Sequence, residues 1–308
     1  MRALRATLAF LLVLAPACRR EKPPLEIDPS LARLVPAGTV LLAGARMDEI
    51  RATPLYARWI ARVPAAALDG FARESGLDPR KDVRQLLIAS DGNRYAVLAR
   101  GAFSVPEIER RLLAQGARKV TYKGMTLVTG GPAAVVFLDA TTAAAGPEQM
   151  LKVVIDQAGH SRSGISQPLR EKMQSVPAGS QVWVVTLGSN PALRQAVPET
   201  GNLSNLRRVI ESVDGMSLGM NFQTGLRLDA AGAYRTEQEA KLIHDALRGL
   251  LGMGRLSTPD DQPELLLFYD AIRVSQDQTL VRVQADVSMD VLDRVLAKIG
   301  GLNHSPRR

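Results

Sequence analysis

At 308 residues with 46% hydrophobic side chains, the chain is long enough to bury a sizeable core, as one large domain or two ordinary ones. Thirty-nine basic against 31 acidic residues give a formal charge of +8, part of it at the two ends, and aromatics at only 4% are too scarce to build a stacking surface, so nucleic acid is excluded as a partner. The single cysteine, Cys18, rules out an intramolecular disulfide and a cysteine-built zinc site.

Residues 1–17 read as an export signal: Arg2 and Arg5, an apolar run from Leu8 to Ala15, then Ala15-Pro16-Ala17 before Cys18. The run falls short of the roughly 20 residues of a membrane span. Two export routes cut before the same residue. Leu14 through Cys18 resembles a bacterial lipoprotein signal with its leucine one place early, which makes Cys18 the lipid attachment point. Ala15-Pro16-Ala17 also fits the small-x-small rule of ordinary secretion, which leaves Cys18 as an unmodified first residue. A cytosolic cysteine placed there by chance is the third reading. Arg19, Arg20 and Lys22 open a tether over residues 18–34. Next to an acylated cysteine they would meet anionic head groups, each adding about 1 kcal/mol of surface attraction; otherwise they are solvated linker charges. The expected location is the cell envelope, with the chain exported, membrane-anchored and facing the periplasm or the cell surface.

A first unit is expected over residues 35–165. Thr39 to Ala45 predicts a strand, and Thr53 caps a helix that has Pro54 at its first position and an apolar face of Leu55, Tyr56, Trp59, Ile60 and Val63. A short helix with Leu68, Phe71 and Ala72 stops at Gly76. Gln85 to Ser90 and Tyr95 to Arg100 form a hairpin about Asp91-Gly92. A helix from Val105 to Gly116 follows, then a strand from Val120 to Val128 that bends at Lys123-Gly124, a buried strand from Ala133 to Leu138, and a helix from near Pro147. Gly159-His160-Ser161-Arg162-Ser163-Gly164 reads as a flexible connector.

A second unit, residues 166–303, repeats the order: a strand at Gln181 to Leu187, a helix at Leu203 to Val213, a hairpin at Ser217 to Ala230, and a helix at Glu237 to Leu251 ended by Gly249, Gly252 and Gly254. Strands at Leu265 to Val274 and Leu280 to Val287 precede a last helix, Met289 to Ile299, and a basic tail, 304–308. Val35-Pro36-Ala37-Gly38-Thr39 is echoed by Val176-Pro177-Ala178-Gly179-Ser180, and the capping-box spacing of Ser104 with Glu107 by that of Thr236 with Glu239. The expected fold is therefore α+β: two pseudo-repeated units of mainly antiparallel sheet with packed amphipathic helices, sharing one sheet or forming two domains.

The chemistry-bearing motifs lack their contexts. Gly215-Met216-Ser217-Leu218-Gly219 matches the G-x-S-x-G elbow, which needs a strand before and a helix after it; here a helix precedes and a hairpin strand follows, so no catalytic residue is assigned. His160, His244 and His304 are far apart in sequence, none at metal-ligand spacing, and Asp260-Asp261 lacks the alternating oxygens of a calcium loop. No metal, cofactor or catalytic constellation is expected.

Leu77-Asp78-Pro79-Arg80-Lys81-Asp82, Tyr122-Lys123-Gly124 and the stretch from Arg235-Thr236-Glu237 to Gly254-Arg255-Leu256-Ser257 resemble a family of uncharacterised exported bacterial proteins, lipoproteins of unknown function. The resemblance implies export and no catalytic residue. The expected function is a non-catalytic cell-envelope lipoprotein, membrane-bound through its anchor and acting on another envelope protein in binding or assembly. The alternative is a carrier of a lipid or other apolar ligand held between the two pseudo-repeats. A packed junction with an exposed apolar patch favours the first, and an apolar cavity at the junction favours the second.

Overall fold

A computed structural model describes residues 25–62, 66–160, 162–188 and 213–302. The expected signal, Cys18, Arg19, Arg20, Lys22, the expected helix from Leu203 up to residue 212 and the tail from His304 lie outside the described residues. In chain order the elements begin with α1 (Pro29–Leu34), β1 (Leu41–Arg46), α2 (Met47–Arg51), α3 (Pro54–Arg58), a 3-10 turn (Ile60–Arg62), α4 (Ala66–Ser75) and α5 (Pro79–Asp82). Next come β2 (Val83–Ser90), β3 (Tyr95–Gly101), α6 (Val105–Ala114), β4 (Arg118–Tyr122), β5 (Met125–Gly130), β6 (Ala133–Asp139), β7 (Thr142–Gly146), α7 (Glu148–Ala158) and α8 (Gln167–Gln174). The chain continues with β8 (Val182–Leu187), β9 (Gly215–Asn221), β10 (Gly225–Ala233), α9 (Glu237–Leu256), α10 (Pro263–Asp270), β11 (Ile272–Asp277), β12 (Leu280–Ser288) and α11 (Met289–Leu302).

Among the described residues twelve strands join one antiparallel sheet in the order β11-β12-β10-β9-β8-β1-β2-β3-β7-β6-β5-β4. This corrects the expected pair of pseudo-repeated units. The two V-P-A-G-T/S turns feed β1 and β8, and these strands pair with each other, Leu41 opposite Thr186 through Ala45 opposite Val182, in the middle of the sheet. Pairing them satisfies two rows of backbone N–H and C=O groups that separate sheets would leave open at their edges. The join is tight: a Cβ on Gly44 would stand 2.4 Å from the indole of Trp183, which lies across the neighbouring strand.

Residues paired across antiparallel strands point to the same face, so the registers sort the side chains into two layers. On one face Leu42, Leu87, Leu98, Leu127, Val136, Trp183 and Val185 form a core with α1, α7 and α8. The other face carries two separate patches. Val83, Ala143, Leu86, Ala99 and Phe137 pack with Phe103 and Ile108 at one end, under α4 and α6. Val281, Ala285 and Val287 pack under α9, α10 and α11 at the other.

Local differences from the sequence expectation have physical causes. Residues 25–34 are more than a tether: Leu25, Leu31 and Leu34 are buried in the core, and Asp28 caps α1 by accepting from the Ser30 N–H at 2.8 Å. The C-terminal part of the expected flexible connector is pinned, with the Gly164 N–H donating to the Val35 carbonyl at 3.0 Å and the Ser163 hydroxyl to that of Ala32 at 2.6 Å. Leu265 to Asp270 belongs to a helix and not to a strand, because Pro263 presets the first turn of α10. Helix α9 runs through Gly249, Gly252 and Gly254 to Leu256. Gly254 there admits Tyr269 of α10, whose ring would lie 2.7 Å from a Cβ.

Candidate binding surfaces

Three apolar features stand on the face shared by α4, α6 and α9 to α11. The first is a row along α9. That helix starts at a complete capping box, Thr236 Oγ1 accepting from the Glu239 N–H at 3.1 Å and Glu239 Oε2 from the Thr236 N–H at 3.3 Å. One side of the helix, with Ala240 and Ile243, is buried against the sheet. Leu242, Met253 and Leu256 lie on another side, exposed by 69%, 55% and 89%, and Ala246 and Gly249 between them are exposed as well. Their spacing of four, three, four and three residues makes a single stripe. Leu266 and Leu267 of α10 are also exposed, and an Arg255–Asp270 ion pair ties the two helices together.

The second feature is a hollow of about 510 Å³ between α9, α10 and strands β11 and β12, lined by Leu247, Leu251, Leu265, Tyr269, Val274 and Val283 among others. The third is a hollow of about 350 Å³ at the opposite end of the sheet, between α4, α6 and a floor of β2, β3, β7, β6 and β5. At the central junction, beside Gly44 and Trp183, the open space is about 10 Å³, room for roughly one water.

Among the described residues, those singled out by sequence are not brought together. Ser217 is a buried strand residue of β9, paired with Val185 and Ala231 on the α8 side of the sheet. His244 lies on α9, over the other side, with Nδ1 2.9 Å from Asp245 Oδ1. His160 Nδ1 stands 2.9 Å from the Asp156 carbonyl oxygen. Among the described residues no group of three or more His, Cys, Asp or Glu side chains could hold a metal ion. Asp260 and Asp261 are exposed in the turn before α10.

The electrostatics are those of a paired surface. Lys123 holds Asp156 below the ordinary carboxylate range, Arg111 and Arg110 do the same for Glu107, and Lys298, 2.8 Å away, for Glu264. Each of these carboxylates is kept charged, the opposite of what a general acid needs. Burial pushes the Tyr234 phenol up to about 12, so it stays neutral. Among the described residues no helix is long and apolar enough to cross a membrane.

What fold and surface define is a class: a single broad antiparallel sheet with helices on both faces and apolar hollows beneath two pairs of those helices. No protein-family model and no curated protein sequence matches the chain. Among solved structures, crystal form I of TP0453 is similar, with a TM-score of 0.52 at 10% identity, covering 90% of this chain and 98% of that one. Crystal form III of TP0453 gives a TM-score of 0.49 at 11% identity over 89% of this chain and 99% of that one. At such identity the form I likeness is one of fold.

Proposed function

We propose that this chain is a non-catalytic cell-envelope protein, exported through residues 1–17, tethered by an acyl group on Cys18, and bound to another envelope protein through the stripe on α9. The observation that carries the reading is the outward row Leu242, Met253 and Leu256, an apolar face on a helix whose other side is already buried. Apolar side chains so placed gain from a partner that removes them from water. The packed junction at Gly44 and Trp183 supports it further, since a carrier holding its ligand between the two halves would need space there. The charged, partnered state of the perturbed carboxylates is in keeping with a surface that binds and does not react.

Fractionation tests the tether, and crosslinking tests the surface. Cys18→Ser is expected to move the protein from the membrane to the soluble fraction or to leave it unprocessed; fractionation identical to the parent would refute lipid tethering. A photocrosslinker at Leu256 in cells is expected to give one discrete partner band that Leu242→Glu with Met253→Glu removes. A crosslinker at Arg227, on the opposite side of the sheet, gives none. Equal labelling at Leu256 and Arg227 would sink the assignment of the surface.

A further inference from the structure

We infer that the hollow beneath α4 and α6 is a binding site for a single acyl chain of a diffusible lipid. Its lining is chemically uniform. Phe71, Leu77, Val83, Leu86, Phe103 and the other lining residues are apolar apart from Ser75, and none is ionisable. A charged or hydrogen-bonding ligand would find no partner there and would lose its hydration. A hydrocarbon loses nothing.

The shape follows from the sheet. The floor crosses five adjacent strands, β2, β3, β7, β6 and β5, and four inter-strand steps of about 4.8 Å give a trough about 19 Å long, the reach of a long acyl chain. Small side chains open it: Ala99, Ala143 and Ala145 share this face, each pairing with or flanking the other two across β3 and β7, and Gly130 pairs with Ala133 at the far end. Gly130 and Ala133 are exposed, which makes that end the mouth. Lys119, opposite Val128 on the same face, holds Glu109 Oε2 at 2.7 Å there, a polar pair suited to a head group left in water.

Helix α4 supplies the independent observation. Phe71 lines the hollow yet remains 44% exposed, and Leu68, three residues before it, is 39% exposed. The apolar face of the helix thus lacks a full partner on the side where the space lies. An unfilled apolar space forfeits dispersion contacts along every wall, and a cavity of about 150 Å³ already takes up small apolar guests. A chain lying in the trough would complete the wall of α4 and the alanine floor together. The inference stands apart from the reading of α9, which it neither uses nor requires.

The experiment is a fluorescence titration of the full chain with 11-(dansylamino)undecanoic acid, competed with oleate. Saturable uptake of one probe per chain is expected. Ala99→Phe and Ala145→Phe, which fill the floor, should weaken it at least tenfold at an unchanged thermal midpoint, with Ala145→Leu used if phenylalanine unfolds the sheet. Val283→Phe, in the hollow under α9, should bind as the parent does, and so should Cys18→Ser. No saturable uptake, equal uptake by parent and floor variants, or equal loss in Val283→Phe would overturn the site. Uptake confined to Cys18→Ser would overturn the diffusible ligand in favour of the chain's own anchor. Partner crosslinking at Leu256 is unaffected by any of these results, so the two readings fail separately.

Discussion

The two ends of the sheet solve the burial problem differently. Around β3 and β7 both faces are covered: Leu98 and Ala144 are sealed under α1 and α7, while Ala99 and Ala143 turn towards α4 and α6. Around β10 and β12 the described residues pack helices on one face only. Val281, Ala285 and Val287 pack under helices, and on the reverse side Arg227 reaches Asp286 at 3.3 Å and Gln284 donates to Asp229 at 2.8 Å, all partly or fully in water. At the β3 and β7 end the core on one face is complete while the other face leaves a hollow of about 350 Å³ under α4 and α6. At the other end the described core lies on one face, and the helices over it carry surplus apolar side chains outward.

The largest effect should come from the doubly covered end. Leu98→Ala removes a side chain with no exposed surface and should cost about 2–5 kcal/mol, read from the urea midpoint of unfolding. Arg227→Ala, on the open side of β10, should stay within about 0.5 kcal/mol. Similar losses from both would mean that the ends are not layered differently. A smaller contrast lies at the helix starts of the two ends. Thr236→Ala breaks a complete capping box and should cost about 1 kcal/mol. Ser104→Ala should cost only a few tenths, because Ser104 makes no capping hydrogen bond at α6. There Glu107 turns away from the helix start to Arg110 and Arg111, at 2.8 and 2.6 Å. Two arginines one turn on outbid a single backbone amide.

That pair of caps shows what the sequence could disclose. The spacing was identical at both helix starts, and only the competing arginines distinguished them. The same holds for strands. In β12, Leu280 to Ser288, apolar and polar residues alternate as one-sided burial demands, and the strand was legible. In β7 the run Thr142-Ala143-Ala144-Ala145-Gly146 has no alternation and favours no strand by propensity, so it carries no strand signal, although two flanking strands hold it. Leu265 to Phe268 is an apolar run that fits strand or helix, and Pro263 two residues earlier was the cue to the helix. Buried Leu31 and Leu34 fell in a short proline-led segment that reads as linker until the core it completes is known. Of the surfaces, Leu68 and Phe71 were legible as a helix face. The hollow they roof was not, because its floor is built from strands scattered over residues 83 to 145. Nor was the join of β1 to β8: an internal echo in sequence says nothing about whether its copies pair.

The smallest effect separates the ends by acidity. The covered face of the β10–β12 end is tied to the first part of the chain by polar contacts: Trp59 Nε1 donates to Asp293 Oδ1 of α11 at 2.6 Å, and Arg58 pairs with the same carboxylate. The indole hydrogen bond, and then Arg58, hold Asp293 below the ordinary carboxylate range. A carboxylate lowered in the native state stabilises it fully above the unfolded value, near about 4, and this contribution is lost as pH falls through the lower native value. Acid should therefore loosen α11, which this carboxylate ties to α3, before it touches β3 and β7, each of which is hydrogen-bonded to a strand on both sides. Hydrogen exchange followed downwards from pH 5 should show amides of α11 losing protection first, while those of β3 keep theirs. Asp293→Asn should flatten that acid-dependent limb and lower protection in α11 at pH 7, where the parent still holds its charge. If the limb is as steep in Asp293→Asn as in the parent, the tie between α3 and α11 does not set the acid response, and the difference between the ends reduces to packing alone.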